Sequence, residues 1–124
     1  EQMCEMIGDG LASEIKKTSL LIYNKASQYA LEKGIIIADT KMEFGIYNGK
    51  LMLIDELLTP DSSRFWLVSD YKVGQSQDSF DKQIVRDYLL TLDWNKTYPG
   101  PILPPHIVEK TAKRYREILE MLTR

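Results

Sequence analysis

The chain of 124 residues lacks the features that mark several classes of protein. Its single cysteine, Cys4, excludes an internal disulfide and favours a reducing compartment, so we expect a cytoplasmic location. The longest apolar runs, Leu20 to Tyr23 and Ile35 to Ala38, are far too short to span a bilayer, which takes about 20 residues. Lys and Arg number 16 and Asp and Glu number 18, which gives no strong field for nucleic acid. We therefore expect neither nucleic acid nor a membrane as a partner.

Familiar catalytic motifs are absent as well. The sequence contains no P-loop, no GxGxxG pattern, no CxxC pair and no GxSxG elbow. Its only histidine, His106, has no His or Cys partner at metal-ligand spacing. A chain of this length, with 44% hydrophobic residues, is sufficient for one compact core, and we predict a single domain over residues 1–124.

Helical and strand patterns alternate along the chain and predict an α+β fold. The predicted elements are a helix over 11–33 that ends at Gly34, a buried strand over 35–38, an alternating segment over 39–47, a turn at Asn48-Gly49, a strand over 51–54, a long ordered loop over 57–77, a helix over 78–94 and a last helix that begins at Pro105. We therefore expect an antiparallel β-hairpin sheet flanked by about three helices.

Two carboxylates and an ammonium group follow the first predicted strand. Side chains alternate between the faces of a strand, so Asp39, Lys41 and Glu43 share one face. The pattern is also that of a solvated face on which the charges pair with one another. Near the end of the next strand lies a further carboxylate, Asp55, whose position depends on the turn of the hairpin.

Two hairpin registers are possible. A two-residue turn pairs Tyr47 with Lys50 and directs Asp55 away from Lys41, whereas a bulged three-residue loop pairs Ile46 with Lys50 and places Asp55 opposite Lys41. Only the bulged loop gathers three carboxylates into one oxygen-rich site of the kind that suits Mg²⁺. We therefore predict the bulged loop.

Two further segments carry groups that bind anions. Asp61-Ser62-Ser63-Arg64 places hydroxyl groups beside a guanidinium, which can grip a carboxylate or phosphate at two points. The alternative is a turn led by an aspartate with an arginine at the surface. Lys82 and Arg86 lie four residues apart on one helix face and are either part of an anion site or solvated charges.

Three segments, in this order, resemble the SAICAR synthase family. Ile36 to Gly45 matches an Asp-x-Lys-x-Glu-Phe-Gly signature, Asp55 to Trp66 is similar to the substrate loop, and Gln77 to Asp87 is similar to the helix that follows. The likeness runs through nearly the whole chain, and the three motifs have the right separations.

The resemblance implies a carbon–nitrogen ligase of purine biosynthesis that converts CAIR, L-aspartate and ATP into SAICAR, ADP and phosphate. It implies Mg²⁺ as cofactor, held by Glu43 and Asp55, with Asp39 and Lys41 beside the reacting carboxylate. The residues that it assigns to CAIR are Asp61, Ser62, Ser63, Arg64, Lys82 and Arg86.

The resemblance covers only the C-terminal half of the family. The N-terminal β-rich lobe, with its Gly-rich ATP loop, has no counterpart among these residues, and the chain begins at Glu1. We therefore expect a fragment that binds ATP poorly and is inactive alone. We also expect it to expose an apolar face through which a homo-oligomer could form. The alternatives are a ligase or phosphotransferase that uses Mg²⁺ and ATP with another acceptor, and a non-catalytic binding half-domain.

Overall fold

A computed structural model describes all residues from Glu1 to Arg124, in four helices and four strands. In chain order these are α1 (Gln2–Ile7), α2 (Asp9–Glu32), β1 (Ile35–Thr40), β2 (Glu43–Tyr47), β3 (Lys50–Ile54), β4 (Ser63–Leu67), α3 (Gln83–Leu90) and α4 (Pro105–Thr123). The strands form two antiparallel pairs, β1 with β4 and β2 with β3. The predicted α+β class, with a hairpin and three main helices, is confirmed. No helix is long and apolar enough to cross a membrane.

The core lies between α2, the β1–β4 pair and α4. Ala30, Ile35, Ile37, Phe65 and Ile118 are buried together. Ile35 and Ile37 alternate on one face of β1, as expected for β-branched residues in a strand that packs on helices. An apolar cavity of about 140 Å³ remains beside them, lined by Ala26, Tyr29, Ala30, Ile37, Leu58, Phe65 and Leu122.

The strand β4 corrects the prediction of a continuous loop over 57–77. Ser63 and Phe65 are buried and Arg64 is exposed, which is the alternation of a half-buried strand. The strand pairs with β1, so that Ile37 lies opposite Phe65 and Thr40 lies opposite Ser63. This pairing links segments about 25 residues apart in the chain. Nearby turn residues such as Pro60 favoured the prediction of a loop instead of a strand.

A β-bulge in β1 changes the direction of Asp39. Ile35 and Ile37 face the core, and strict alternation would bury Asp39 with them. The register shifts between Ile37 and Asp39, so that Ala38 has no partner and Asp39 lies opposite Arg64. The bulge thus places a carboxylate on the exposed face of the β1–β4 pair.

The hairpin has a two-residue turn, and the predicted bulged loop is wrong. Tyr47 pairs with Lys50, and Asn48 and Gly49 adopt φ angles of 51° and 72°. Positive φ at both central residues is typical of the type I′ turn, which matches the twist of the strands and favours Asn-Gly. The turn residues therefore determine the register.

The second predicted helix is shorter than expected. Over 78–82 the chain is not helical, because Phe80 donates its backbone N–H to Phe65 O of β4 at 2.9 Å and Ser79 and Asp81 are buried. The helix α3 begins only at Gln83 and ends at Leu90. The last helix begins at Pro105 as predicted, with proline at its first position.

Candidate functional site

Lys41, Glu43 and Asp55 form the first cluster of the candidate site. The Lys41 ammonium lies 2.8 Å from Glu43 Oε1 and 3.3 Å from Asp55 Oδ2. Hydrogen bonds to Glu43 and then to Asp55 raise the pKa of Lys41 above its ordinary value. All three side chains are about half exposed, so solvent and ligands can reach them. The cluster presents two carboxylates that converge on one positive charge.

Asp55 reaches Lys41 by a route that the sequence did not suggest. The hairpin register should turn its side chain away, but β3 ends at Ile54 and Asp55 adopts a left-handed conformation with φ of 63°. Aspartate is among the few residues with a side chain that enter this region readily. One change of backbone direction therefore replaces the bulge that we predicted.

Asp39 belongs to a second cluster, with Arg64. Arg64 Nε donates to Asp39 Oδ1 at 2.9 Å, and Arg64 Nη2 donates to Asp39 Oδ2. These hydrogen bonds hold the pKa of the Asp39 carboxyl below its ordinary value. The guanidinium keeps Nη1 unpaired and is half exposed, so one edge stays available for an anion.

The expected single site of three carboxylates is therefore not formed. Asp39 pairs with Arg64, while Glu43 and Asp55 pair with Lys41. No three His, Cys, Asp or Glu side chains lie close enough together to hold a metal ion. The donor set of Glu43 and Asp55 nevertheless fits Mg²⁺, which binds through one or two carboxylates plus substrate phosphates. The Lys41 ammonium shows that both carboxylates can face one cation.

The loop between β3 and β4 is held by its own hydroxyl groups. The backbone N–H of Ser62 donates to Thr59 Oγ1, and the N–H of Thr59 donates to Ser62 Oγ, both at 3.2 Å. The Thr59 hydroxyl also donates to the Glu56 carboxylate. Ser and Thr side chains stabilise turns in this way. No role was assigned to Thr59 or Glu56 from the sequence, although the Thr-Pro-Asp-Ser run is a turn signal.

The same loop is attached to the first cluster and to β1. The backbone N–H of Lys41 donates to Ser62 O at 2.8 Å. The Ser63 hydroxyl, which is buried, donates to Thr40 Oγ1 at 2.9 Å. Beside Asp39, an open cleft of about 430 Å³ is lined by Ser19, Leu20, Tyr23, Ala38, Asp39, Thr40 and Met42. This volume is in the range of small-molecule sites.

The remaining predicted residues lie at the edge of the loop. The Lys82 ammonium donates to the carbonyl oxygens of Pro60 and Ser63 and to Asp81 Oδ2. Asp61 and Arg86 are exposed, and their side chains make no hydrogen bond or ion pair. The structure thus brings Lys82 to the loop but leaves Arg86 without a contact.

Tyr115 of α4 lies near the loop and was not singled out for chemistry. Burial raises the pKa of its phenol above the ordinary value, and the carboxylates of Asp81, Asp61 and Glu56 add to this. Nothing in the local sequence of α4 signals this proximity, because it depends on how the helix packs.

Known proteins resemble this chain over nearly all of its length. Two curated relatives are named phosphoribosylaminoimidazole-succinocarboxamide synthase, and the chain is 62% identical to the one from Thermodesulfovibrio yellowstonii and 57% identical to the one from Geobacter metallireducens. Each match covers 99% of this chain but only 42% of the relative, so the chain spans less than half of their length.

Solved structures show the same relation. A SAICAR synthase from Saccharomyces cerevisiae in complex with SAICAR is 48% identical, with a TM-score of 0.92 over 98% of this chain and 41% of that one. A SAICAR synthetase in complex with ADP is 29% identical, with a TM-score of 0.61 over 90% of this chain and 37% of that one. The family model described as SAICAR synthetase matches residues 1–101, and the chain belongs to the SAICAR synthetase family.

Proposed function

We propose that this chain supplies the metal- and substrate-binding lobe of an ATP-dependent ligase that joins L-aspartate to the carboxylate of CAIR and yields SAICAR. The observation that carries the proposal is the position of Glu43 and Asp55, which converge on Lys41 one backbone hydrogen bond away from the Ser62 loop. The residues that we assign to the metal and those that we assign to the anion are therefore adjacent. The SAICAR and ADP in the structures of relatives support the same products here.

The two carboxylates of the first cluster are assigned to the metal. Glu43 and Asp55 would hold Mg²⁺ together with the phosphates of ATP. When bound, the ion neutralises charge on the transferring phosphoryl group. A lysine ammonium is protonated at neutral pH, so Lys41 acts as a fixed positive charge rather than as a proton donor.

The loop and its neighbours are assigned to CAIR. Arg64 reaches the phosphate through its unpaired Nη1 edge, while Asp39 fixes the other edge of the guanidinium. The remaining residues that we assign to CAIR are Asp61, Ser62, Ser63, Lys82 and Arg86. Lys82 contributes its positive charge at a distance. The same charge is a minor cause of the lowered pKa of Asp39.

The reaction needs two steps. The CAIR carboxylate takes the γ-phosphoryl group of ATP, which releases ADP and forms an acyl phosphate. The amine of L-aspartate then attacks the carbonyl carbon, the bond to phosphate breaks, and the nitrogen loses a proton. Asp39 and Lys41 would lie beside the reacting carboxylate. The residues bind and orient several anions that repel one another, so positioning and charge supply most of the catalysis.

The lobe needs a partner for ATP. We propose that residues 1–124 act as one domain against the N-terminal β-rich lobe of the family, in the cytoplasm, as the single cysteine suggests. Exposed apolar side chains on the hairpin, Ile46, Tyr47, Met52 and Ile54, are consistent with such a contact or with a homo-oligomer.

The test is ADP release by the complete gene product with Mg²⁺, ATP, CAIR and L-aspartate, each omitted in turn. We expect release only with all four, loss in Glu43→Ala, and no change in Glu14→Ala, an exposed glutamate of α2 without contacts. Release that proceeds with another acceptor in place of CAIR would favour a different ligase or phosphotransferase. ATP binding without any release would favour a non-catalytic domain.

A further inference from the structure

Asp81 is a buried carboxylate that the proposed reaction does not use. Its side chain is 0% exposed. A buried charge is costly unless it is paired and hydrogen-bonded. Asp81 has two such partners: Ser79 Oγ donates to Oδ1 at 3.2 Å, and Lys82 Nζ lies 3.1 Å from Oδ2. Because burying this carboxylate is costly, we expect a role of Asp81 in addition to packing.

The partner of Asp81 holds the substrate loop at two points. An ammonium group has three donors, and those of Lys82 are all engaged, by the carbonyl oxygens of Pro60 and Ser63 and by Asp81. The two carbonyl groups lie on either side of Asp61 and Ser62 in the chain, so the ammonium group connects the two ends of this part of the loop. No N–H of Lys82 is left for a direct bond to substrate in this conformation.

The carboxylate determines where the ammonium lies. The Lys82 side chain is 28% exposed, and without an anion beside it the ammonium would gain hydration by turning to solvent. The carbonyls of Pro60 and Ser63 would then lose their donor. Ser62 O also accepts the backbone N–H of Lys41 at 2.8 Å, so a shift of the loop would reach the metal cluster.

We infer that Asp81 is a positioning residue for the CAIR site: it fixes Lys82, and Lys82 fixes the carbonyl groups on either side of Asp61-Ser62. The inference deepens the proposed function and rests on it for the kinetic part of the test. It also gives Lys82 a structural role at the loop, in addition to the charge that it contributes at a distance.

The kinetic test uses the complete gene product and the variants Asp81→Asn, Lys82→Met and their combination. Asp81→Asn keeps the shape of the side chain and removes its charge. We expect it to raise the KM for CAIR about tenfold or more, since small misplacements of binding groups have effects of this size, and to leave the KM for ATP within about twofold. The combined variant should bind CAIR no worse than Lys82→Met alone, because Asp81 acts through Lys82.

A structural test needs no activity. In this chain, amide hydrogen exchange at Lys41 reports its bond to Ser62 O, and we expect exchange at least about tenfold faster in Asp81→Asn and Lys82→Met than in wild type. Exchange in the β2–β3 hairpin should stay unchanged. Asp93→Asn is the matched control, since it makes the same substitution at an exposed aspartate that forms no hydrogen bond or ion pair, and it should change neither KM nor exchange.

The outcomes separate the two proposals. Additive effects of Asp81→Asn and Lys82→Met on KM, or unchanged exchange at Lys41, would overturn the positioning role. Should Asp81→Asn fail to fold, Lys82→Met must still raise KM and speed exchange while Asp93→Asn does not, and the reverse pattern would refute the inference. A wild-type protein without ligase activity would refute the proposed function and leave exchange to decide the role of Asp81.

Discussion

The left-handed backbone of Asp55 should make this position sensitive to the shape of the side chain. With φ of 63°, it lies where residues with a Cβ are strained and where glycine, asparagine and aspartate are tolerated. Asp55→Asn should keep the backbone and lose the charge, Asp55→Gly should relieve the backbone, and Asp55→Val should oppose it.

The size of the effect follows from the backbone alone. The left-handed region costs an ordinary L-residue about 1–2 kcal/mol, and a β-branched residue fits it least well. The ion pair with Lys41 adds little, because both side chains are about half exposed. Asp55→Val should therefore be about 1–2 kcal/mol less stable than Asp55→Asn, which at this chain length corresponds to a Tm lower by about 3–8 °C.

Thermal unfolding followed by circular dichroism measures the difference. The matched control is Asp93→Val, at an exposed aspartate without side-chain contacts and with an ordinary φ. The reasoning is refuted if Asp55→Val loses no more stability than Asp93→Val. A second measurement separates metal binding from stability by using Mn²⁺ as a paramagnetic probe for Mg²⁺. Asp55→Asn should fold normally, but Mn²⁺ should broaden the NMR signal of the Glu43 amide less than in wild type.

Three further predictions concern other parts of the chain. Arg64 lowers the pKa of Asp39 below 3.8, so the pair stabilises the fold above that pH, and this stabilisation is lost as pH falls through the lower, folded-state pKa. The Tm of Asp39→Asn should therefore be lower than that of wild type at pH 6 and equal to it near pH 2. A difference in Tm that does not change with pH would contradict this. Burial raises the pKa of Tyr115 above 10.0, so the neutral phenol stabilises the fold below pH 10, and this stabilisation is lost as pH rises through the folded-state pKa. The absorbance difference between wild type and Tyr115→Phe should show one phenol titrating above pH 10. The cavity of about 140 Å³ predicts that Ala26→Leu raises the free energy of unfolding by about 1 kcal/mol. The control Ala12→Leu, at a buried alanine that does not line this cavity, should lower it. Equal losses of stability in denaturant unfolding would show that the cavity does not accommodate the larger side chain.

Local sequence signals predicted the elements whose causes are local. Gly34 ends α2 with a φ of 80°, Pro105 begins α4, and Asn48-Gly49 forms the hairpin turn. In each case one or two residues impose the conformation through their own backbone preferences. The presence and type of these elements could therefore be read from the chain.

The parts that were missed depend on contacts distant in sequence. β4 exists because it pairs with β1, and the apolar run after Arg64 was the only local sign of it. The separation of Asp39 from Glu43 depends on the bulge at Ala38, and no residue type there announces a bulge. The position of Asp55 depends on a single φ angle that the residue permits but does not require.

The resemblance named the candidate site residues, whereas their arrangement could not be predicted from strand geometry. The family signature pointed to Asp39, Lys41 and Glu43 as neighbours of one site, and we expected one face of one strand to hold them. The chain instead leaves β1 at Thr40 and starts β2 at Glu43, so Asp39 and Glu43 belong to different sheets and Lys41 lies between them. A single strand face is not needed, because the loop contacts bring the two sheets together.

Lys41 joins the two sheets through both its backbone and its side chain. The β2–β3 hairpin has few contacts with the rest of the fold, so its position depends on the residues at its base. The Lys41 backbone N–H holds Ser62 O of the substrate loop, while its side chain holds Glu43 and Asp55. Backbone and side chain of one residue thus link the anion site to the carboxylates assigned to the metal. A metal ion at Glu43 and Asp55 would compete with the ammonium for the same oxygen atoms, and of the contacts made by Lys41 the backbone bond to Ser62 O would then remain.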